Sequence, residues 1–370
     1  MARYDYLIVG TGFFGAVFAH EAAACGKKCL VIDRRDHVGG NAYCEKRRSI
    51  WIHRYGPHIF HTNDKRIWNY VRQFAEFNNF INSPLANYHG KIYNLPFNMN
   101  TFNQLWCVTT PRQAKMKIAE QTAPYKNVKP SNLEEQALAL AGPDIYEHFI
   151  RDYTEKQWGR SCAQLPPFII KRIPLRFTYN NNYFNDKYQG IPIGGYARLF
   201  TNLLKHCDVQ LSTDFFADKS LRFWADRIVY TGTIDRYFGY CYSPLEYRTV
   251  TFKTEELDIE DYQGNAVVNY TSADAPFTRI IEHKHFEFGK QSFTVITKEF
   301  PAQWNPGKEP FYPVQDERNI ALYKKYAQLA TQEKNVIFGG RLAEYQYYNM
   351  DEAVRRALLV AKKELKVGMV

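Results

Sequence analysis

Three glycines near the start of the chain, Gly10, Gly12 and Gly15, have the spacing G-x-G-x-x-G, and an acidic residue, Asp33, ends the strand-like run that follows them. This arrangement suits a diphosphate. Gly10 permits a tight turn, Gly12 lets backbone N–H groups approach phosphate oxygens, and Gly15 lets a helix pack close against a strand. The helix N-terminus adds positive potential, and Asp33 would accept hydrogen bonds from an adenosine ribose. The motif alone is weak evidence. Here it follows a β-branched and aromatic run, Tyr4–Val9, and opens a small-residue stretch suited to a helix; a second apolar run, 28–32, leads into Asp33. The pattern predicts a βαβ crossover that binds a dinucleotide.

Features elsewhere bear on whether that dinucleotide is nicotinamide or flavin. Gly39-Gly40-Asn41-Ala42 forms a second small-residue turn just after Asp33. Gly339-Gly340-Arg341, with the start of a helix after Tyr348, would bring backbone donors to an isoalloxazine edge. A helix N-terminus there would stabilise negative charge on a reduced flavin. No Ser/His/Asp or Cys/His nucleophile set is legible. The seven cysteines include neither a CxxC pair nor a metal-like cluster, which argues against a disulfide framework and a zinc site and fits a reducing cytoplasm. We expect no metal.

The elements that must position these groups follow from periodicity and caps. After Thr62, Ile67, Tyr70, Val71 and Phe74 recur at helical spacing. Thr110-Pro111-Arg112-Gln113 and Ser131-Asn132-Leu133-Glu134 have capping-box form, and Gly142-Pro143 separates one helix from another over 144–158. The middle of the chain, roughly 97–159, therefore reads as a helical insertion. Prolines at 166, 167 and 174 mark irregular chain of the kind that forms lids. Runs at 227–231, 266–271, 279–286 and 293–299 read as strands, with antiparallel sheet the natural arrangement. Near the end, Val336–Phe338 precedes a helix with Val354, Ala357, Leu358 and Ala361 on one face. The fold class is α/β: a Rossmann-like dinucleotide domain, a helical insertion domain and an antiparallel β-sheet domain.

The formal charge of +10 admits a polyanionic partner, but the basic residues are dispersed rather than clustered with aromatics, so nucleic acid is not expected. No apolar run nears the ~18 residues of a membrane span, and the N-terminus has no signal-peptide pattern. The expectation is a soluble, cytoplasmic protein with no membrane partner.

Five strings are more specific: YGPHIFHT (55–62), YNLPFNMNTF (93–102), YTEKQWG (153–159), IIKRIPLRF (169–177) and FGGRLAEYQYY (338–348). Over essentially its whole length the chain resembles bacterial UDP-galactopyranose mutase. The resemblance implies interconversion of UDP-galactopyranose and UDP-galactofuranose on a reduced FAD, whose N5 attacks the anomeric carbon with no net redox change. It also implies a UDP-galactose-type nucleotide sugar as substrate, a reductant for the flavin, a homodimer and a place in cell-surface polysaccharide biosynthesis. The implied domains are 1–80 with 190–240 and 315–370 for FAD; 81–165, helical, with a mobile lid near 166–178; and 179–189 with 241–314 as the antiparallel sheet.

Residue by residue, Arg172 and Arg279 match the family's diphosphate-binding arginines, a task suited to a planar, permanently charged fork. They stand with His61 as catalytic candidates. Tyr183, Tyr312 and Tyr347 match positions that bind the diphosphate or line the sugar pocket, and Tyr153 and Trp158 match the uridine–sugar cleft. Asn82, Asn269 and Glu299 fall at matching polar positions. The cofactor candidates are Gly10, Gly12, Phe14, Gly15, Asp33 and Arg34, then Gly40, Asn41, His58, Ile59 and Phe60, and finally Gly340, Arg341, Asn349 and Met350. His58 and His61 are read as donors to flavin or sugar or as structural residues, neither being required as a general base. Asn349 departs from the family, many of whose members carry aspartate there, and so lacks a charge. The alternatives are a mutase that prefers UDP-N-acetylgalactosamine and an amine-oxidase-like flavin oxidoreductase. The latter would not need two diphosphate arginines.

Overall fold

The computed structural model describes residues 4–127, 129–170 and 173–366. The chain forms two compact units, one from Met1–Phe80, Asp186–Tyr247 and Trp304–Val370, the other from Ile81–Asn185 and Arg248–Gln303.

The first unit is built on β1 (Tyr4–Val9), α1 (Phe13–Ala24) and β2 (Cys29–Ile32). β1 is central in a parallel sheet whose order is Val336–Phe338, Ala225–Tyr230, β1, β2, Asp208–Gln210. Leu7 and Ile8 are wholly buried on opposite faces, as a covered parallel strand requires. α1 is apolar almost all round. Its Ala16, Ala19 and Ala22 are buried in one cluster with Val354, Ala357 and Ala361 of the helix Met350–Leu365, and their small side chains let the helices approach closely. The inward face of that last helix is the one expected.

The run at 227–231 was expected among antiparallel strands. It instead pairs parallel with β1, Leu7 opposite Ile228 and Val9 opposite Tyr230. A short β-branched run specifies a strand but not its direction; the covered faces of the parallel sheet decide that.

In the second unit the strands run Tyr247–Leu257, Thr294–Gln303, Arg279–Glu282, Val267–Tyr270, Leu85–Tyr88, Lys91–Asn94. Pairing is antiparallel throughout except between Val267–Tyr270 and Leu85–Tyr88. The last two strands lie in the stretch expected to be helical. They are joined at His89-Gly90, both with positive φ (49° and 83°), the backbone of a tight hairpin turn without its usual Asn-Gly signature.

Helix Pro111–Thr122 has the expected cap: Thr110 Oγ1 accepts from the Gln113 N–H, and Gln113 returns a carboxamide oxygen to the Thr110 N–H at 3.0 Å. The next cap lies one residue later than expected. Asn132 takes the Glu135 N–H at 2.9 Å, while Glu135 reaches back to the Ser131 N–H at 2.7 Å. The helix expected over 144–158 is broken into Pro143–Ile145, a π-turn at Tyr146–Ile150, and Arg151–Trp158. The wide turn changes the helical phase just before Tyr153, a defect often found beside functional sites.

Candidate functional site

The glycine turn lines a cleft of about 560 Å³ in the first unit. A Cβ on Gly15 would stand 2.0 Å from the Gly10 carbonyl oxygen, and one on Gly10, at φ +108°, would stand 2.1 Å from Thr231 Oγ1. Both positions therefore demand glycine whether or not a ligand binds. Gly12 differs, because a Cβ there meets nothing within 4 Å. Its missing side chain leaves open space over the start of α1, the cradle a diphosphate needs.

Asp33 holds this turn in place. Its Oδ2 accepts from the Thr11 N–H at 2.9 Å and Thr11 Oγ1 at 2.6 Å, and its Oδ1 from the Arg35 N–H at 3.0 Å. A carboxylate has about four lone-pair sites, so one remains for a ribose hydroxyl. Phe14, Arg34, Gly40 and Asn41 line the same cleft. Arg34 and Arg35 both reach Glu309 Oε2, at 2.6 and 2.9 Å. Glu309 thus satisfies the two cations that a 2′-phosphate would otherwise engage, which fits an adenosine without that phosphate.

Sequence reading missed Glu309, Thr213, Thr231 and Arg236, all of which line the cleft. One of them was findable. Thr231 follows the C-terminal end of a strand-like run, and ligands bind at such ends of a parallel sheet. Thr213 carries no such signal: its N–H donates to the distant Asp33 carbonyl at 2.8 Å.

His58, Gly340, Arg341, Asn349 and Met350 line the cleft as well. Ile59 and Phe60 are buried outside the lining, Phe60 among Phe13, Trp68 and Phe77. Burial, aided by Arg341 against the opposing Gly56 carbonyl, lowers the His58 pKa to about 4, so the ring is neutral at pH 7. His61 lies on the strand Phe60–Thr62, where its Nδ1 meets the Asp186 carboxylate, and it is not among the cleft residues.

Arg341 rests on two tyrosines, its guanidinium 4.7 Å from the Tyr347 ring and 5.4 Å from that of Tyr312; the two rings stack at 5.7 Å. Among the described residues its Nε is buried without a hydrogen-bond acceptor, a donor suited to a ligand. Asn349 caps the helix Met350–Leu365, and its N–H donates to Glu352 at 2.7 Å. Asp351 and Glu352 in that first turn offset part of the positive potential expected there.

The second unit carries a polar row across three strands. Asn269 is in register with Arg279, and Arg279 with Glu299, so all three project from one face of the sheet. Arg279 Nη2 donates to the Tyr153 hydroxyl at 2.9 Å, and Arg279 Nε lies 3.5 Å from Glu299 Oε1. Burial raises the pKa of Glu299 and of Tyr153, with Arg279 opposing the shift in both. Among the described residues Asn269 Oδ1 is buried without a donor. A half-buried cation and an amide oxygen on one sheet face, met by a phenol from the helix Arg151–Trp158, can hold an anionic, hydroxyl-rich ligand.

Tyr183 is near enough to raise the Tyr153 pKa further, and its N–H donates to the Asn82 carbonyl at 2.8 Å. Trp158 packs against the unit's apolar cluster. Arg172 lies outside the described residues. Asp261, Glu282 and His285 bring potential metal-ligating atoms within 4.8 Å of one another. Hydrogen bonds account for that group, because Glu282 already accepts from Thr294 Oγ1 and the N–H groups of Tyr262 and Gln263, and it raises the His285 pKa. Among the described residues no helix is long and apolar enough to cross a membrane.

Comparison with known proteins identifies the family. Residues 148–347 match a family model described as UDP-galactopyranose mutase, and residues 8–74 one described as NAD(P)-binding Rossmann-like domain. A probable UDP-galactopyranose mutase of Klebsiella pneumoniae is 40% identical over 99% of this chain and 96% of its own. A dTDP-fucopyranose mutase of Escherichia coli is 37% identical over 97% of this chain and 98% of its own. A crystal structure of reduced UDP-galactopyranose mutase superposes with TM-score 0.76 over 99% of this chain and 96% of that one; at 14% identity the likeness concerns the fold.

Proposed function

The chain belongs to the UDP-galactopyranose mutase family, an isomerase family, and from that premise we propose that it binds FAD and interconverts UDP-galactopyranose and UDP-galactofuranose. The observation that carries the cofactor reading is the open cradle at Gly12, in one cleft with Asp33, His58, Gly340 and Arg341. Bound and reduced, FAD supplies the nucleophile, N5, for the anomeric carbon, with no net redox change.

The chain's own residues bind and orient. The turn N–H groups and the α1 N-terminus hold the cofactor diphosphate, and Asp33 takes the ribose. Arg279, with Arg172, holds the substrate diphosphate as it becomes a leaving group, a service worth most where water is excluded. Glu299 sets the Arg279 fork, Tyr153 and Asn269 complete the polar row, and Tyr312 and Tyr347 hydrogen-bond phosphate or sugar. Neutral His58 offers a hydrogen bond without placing a charge in the cleft. The residue types support a nucleoside diphosphate sugar. The cytoplasmic setting, the homodimer, the flavin reductant and the role in cell-surface polysaccharide synthesis belong to the same reading.

The 37% identity to a dTDP-fucopyranose mutase keeps the nucleotide sugar itself under test. The deciding experiment compares UDP-galactose, UDP-N-acetylgalactosamine and dTDP-fucose side by side, anaerobically, on reduced FAD-loaded protein. Highest kcat/KM for UDP-galactose supports the assignment. Preference for either of the others transfers the chain to that substrate.

A further inference from the structure

In the second unit the Lys156 ammonium sits where, among the described residues, no carboxylate pairs with it directly. Lys156 Nζ lies 2.7 Å from the carbonyl oxygens of Tyr270 and Ser272, 3.0 Å from that of Ala275 and 3.1 Å from that of Phe277. Three N–H donors thus face four converging carbonyls, the kind of cage with which proteins replace the hydration shell of a bare cation. One turn earlier on the same helix, Asp152 Oδ2 takes the Ala273 N–H at 3.1 Å. The helix Arg151–Trp158 therefore grips both the donors and the acceptors of the loop 271–278.

That loop joins the strand bearing Asn269 to the strand beginning at Arg279, and it closes on itself through the Tyr270 N–H to the Thr278 carbonyl at 2.8 Å. The helix that grips it also presents Tyr153, whose hydroxyl meets Arg279. We infer that Lys156 is a positioning residue: its ammonium replaces a bound cation at the centre of the loop and so fixes Asn269 and Arg279 against Tyr153. This rests on the reading above, that Arg279 and its neighbours hold the nucleotide.

The cage also makes the clamp sensitive to pH. Burial lowers the Lys156 pKa to about 8, opposed by Asp152 on its own helix and by Asp274 on the loop, the latter 3.2 Å from His89 Nδ1. As pH rises through 8 the ammonium loses a proton, leaving two donors and a lone pair facing four carbonyl oxygens. The clamp loosens.

The test is Lys156→Ala in FAD-loaded protein, with UDP affinity measured by calorimetry and amide exchange followed over 271–278. UDP binding should weaken about tenfold or more, the usual effect of removing an outer support of a binding group, and exchange in the loop should quicken. Propylammonium should restore both, by refilling the cage, and tetramethylammonium, which has no N–H, should restore neither. In the wild type UDP affinity should fall as pH passes from 7 to 9, whereas Lys156→Met should be weak and flat across that range. Wild-type UDP affinity in Lys156→Ala, or equal rescue by both cations, overturns the inference. Should Lys156→Ala fail to fold, a flat wild-type pH profile overturns it without any variant. Arg279→Ala, measured beside these, separates the premises: if it binds UDP normally, the nucleotide reading itself fails.

Discussion

Gly12 and Gly15, three residues apart in one turn, should respond in opposite ways to the same added methyl group. Gly15→Ala places a Cβ 2.0 Å from the Gly10 carbonyl oxygen, far inside contact distance, and the obstacle is backbone, which cannot rotate aside. Overpacking of this kind costs about 1–3 kcal/mol, and a backbone clash belongs near the top of that range. Gly12→Ala places a Cβ in open space, at φ −68° and ψ 179°, values alanine adopts freely. Stiffening the unfolded chain would contribute about 0.4–1 kcal/mol, and losing glycine at a helix N-cap costs a similar few tenths to 1 kcal/mol, so the two nearly cancel. The methyl group does occupy the space where a diphosphate must lie to reach the turn N–H groups. Losing one or two charge-assisted hydrogen bonds costs about 3 kcal/mol, roughly a hundredfold in affinity. Thermal melts of the cofactor-free proteins and FAD titrations by fluorescence quenching read both effects. Gly15→Ala should melt several degrees low, and Gly12→Ala should melt like wild type yet bind FAD about a hundredfold more weakly. Wild-type FAD affinity in a normally stable Gly12→Ala protein would refute the placement of the cofactor on this turn.

Arg279→Ala and Arg172→Ala should each lower kcat/KM by an amount equivalent to about 2–5 kcal/mol, read in steady-state assays; near-wild-type rates in both contradict a diphosphate role. His58, neutral in the fold and held near pKa 4, must take up a proton on unfolding at any pH between about 4 and 6.5. Its contribution to stability is therefore complete above pH 6.5 and is lost as pH falls towards 4, so His58→Gln should flatten the acid side of the melting profile. Parallel profiles for the two proteins would count against a buried neutral ring. Asn349→Asp, which restores the acid common in the family, should change the melting temperature little, since both residues cap well, but should make the bound flavin harder to reduce by adding a negative charge. An unchanged reduction midpoint would place Asn349 away from the flavin ring.

The dinucleotide turn was legible because its spacing carries a local constraint: a Cβ on Gly15 would strike the Gly10 carbonyl oxygen five residues earlier, a steric demand that no other residue meets. The polar row of the second unit was not. Asn269, Arg279 and Glu299 sit on three strands whose register depends on pairings far apart in sequence, and only resemblance to a family named them. Pairing direction was hidden for the same reason in Ala225–Tyr230, as was the hairpin at His89-Gly90, whose turn residues carry no strong signature. The π-turn at Tyr146–Ile150 leaves apolar periodicity almost unchanged over so short a span. Glu309 and Lys156 carry no sequence signal of their own. Each gained its role from a distant partner, Arg34 and Arg35 in one case and a ring of carbonyls in the other.

The central claim is that the flavin acts as a nucleophile and not as an electron carrier. The most direct measurement follows UDP-galactofuranose under nitrogen with the FAD-loaded protein first oxidised and then reduced by dithionite, with no acceptor present. The account predicts conversion to the pyranose by the reduced protein alone, over many turnovers per flavin and with the flavin still reduced at the end. Turnover that requires oxygen or NAD, or that stops after one equivalent of flavin is consumed, would contradict it.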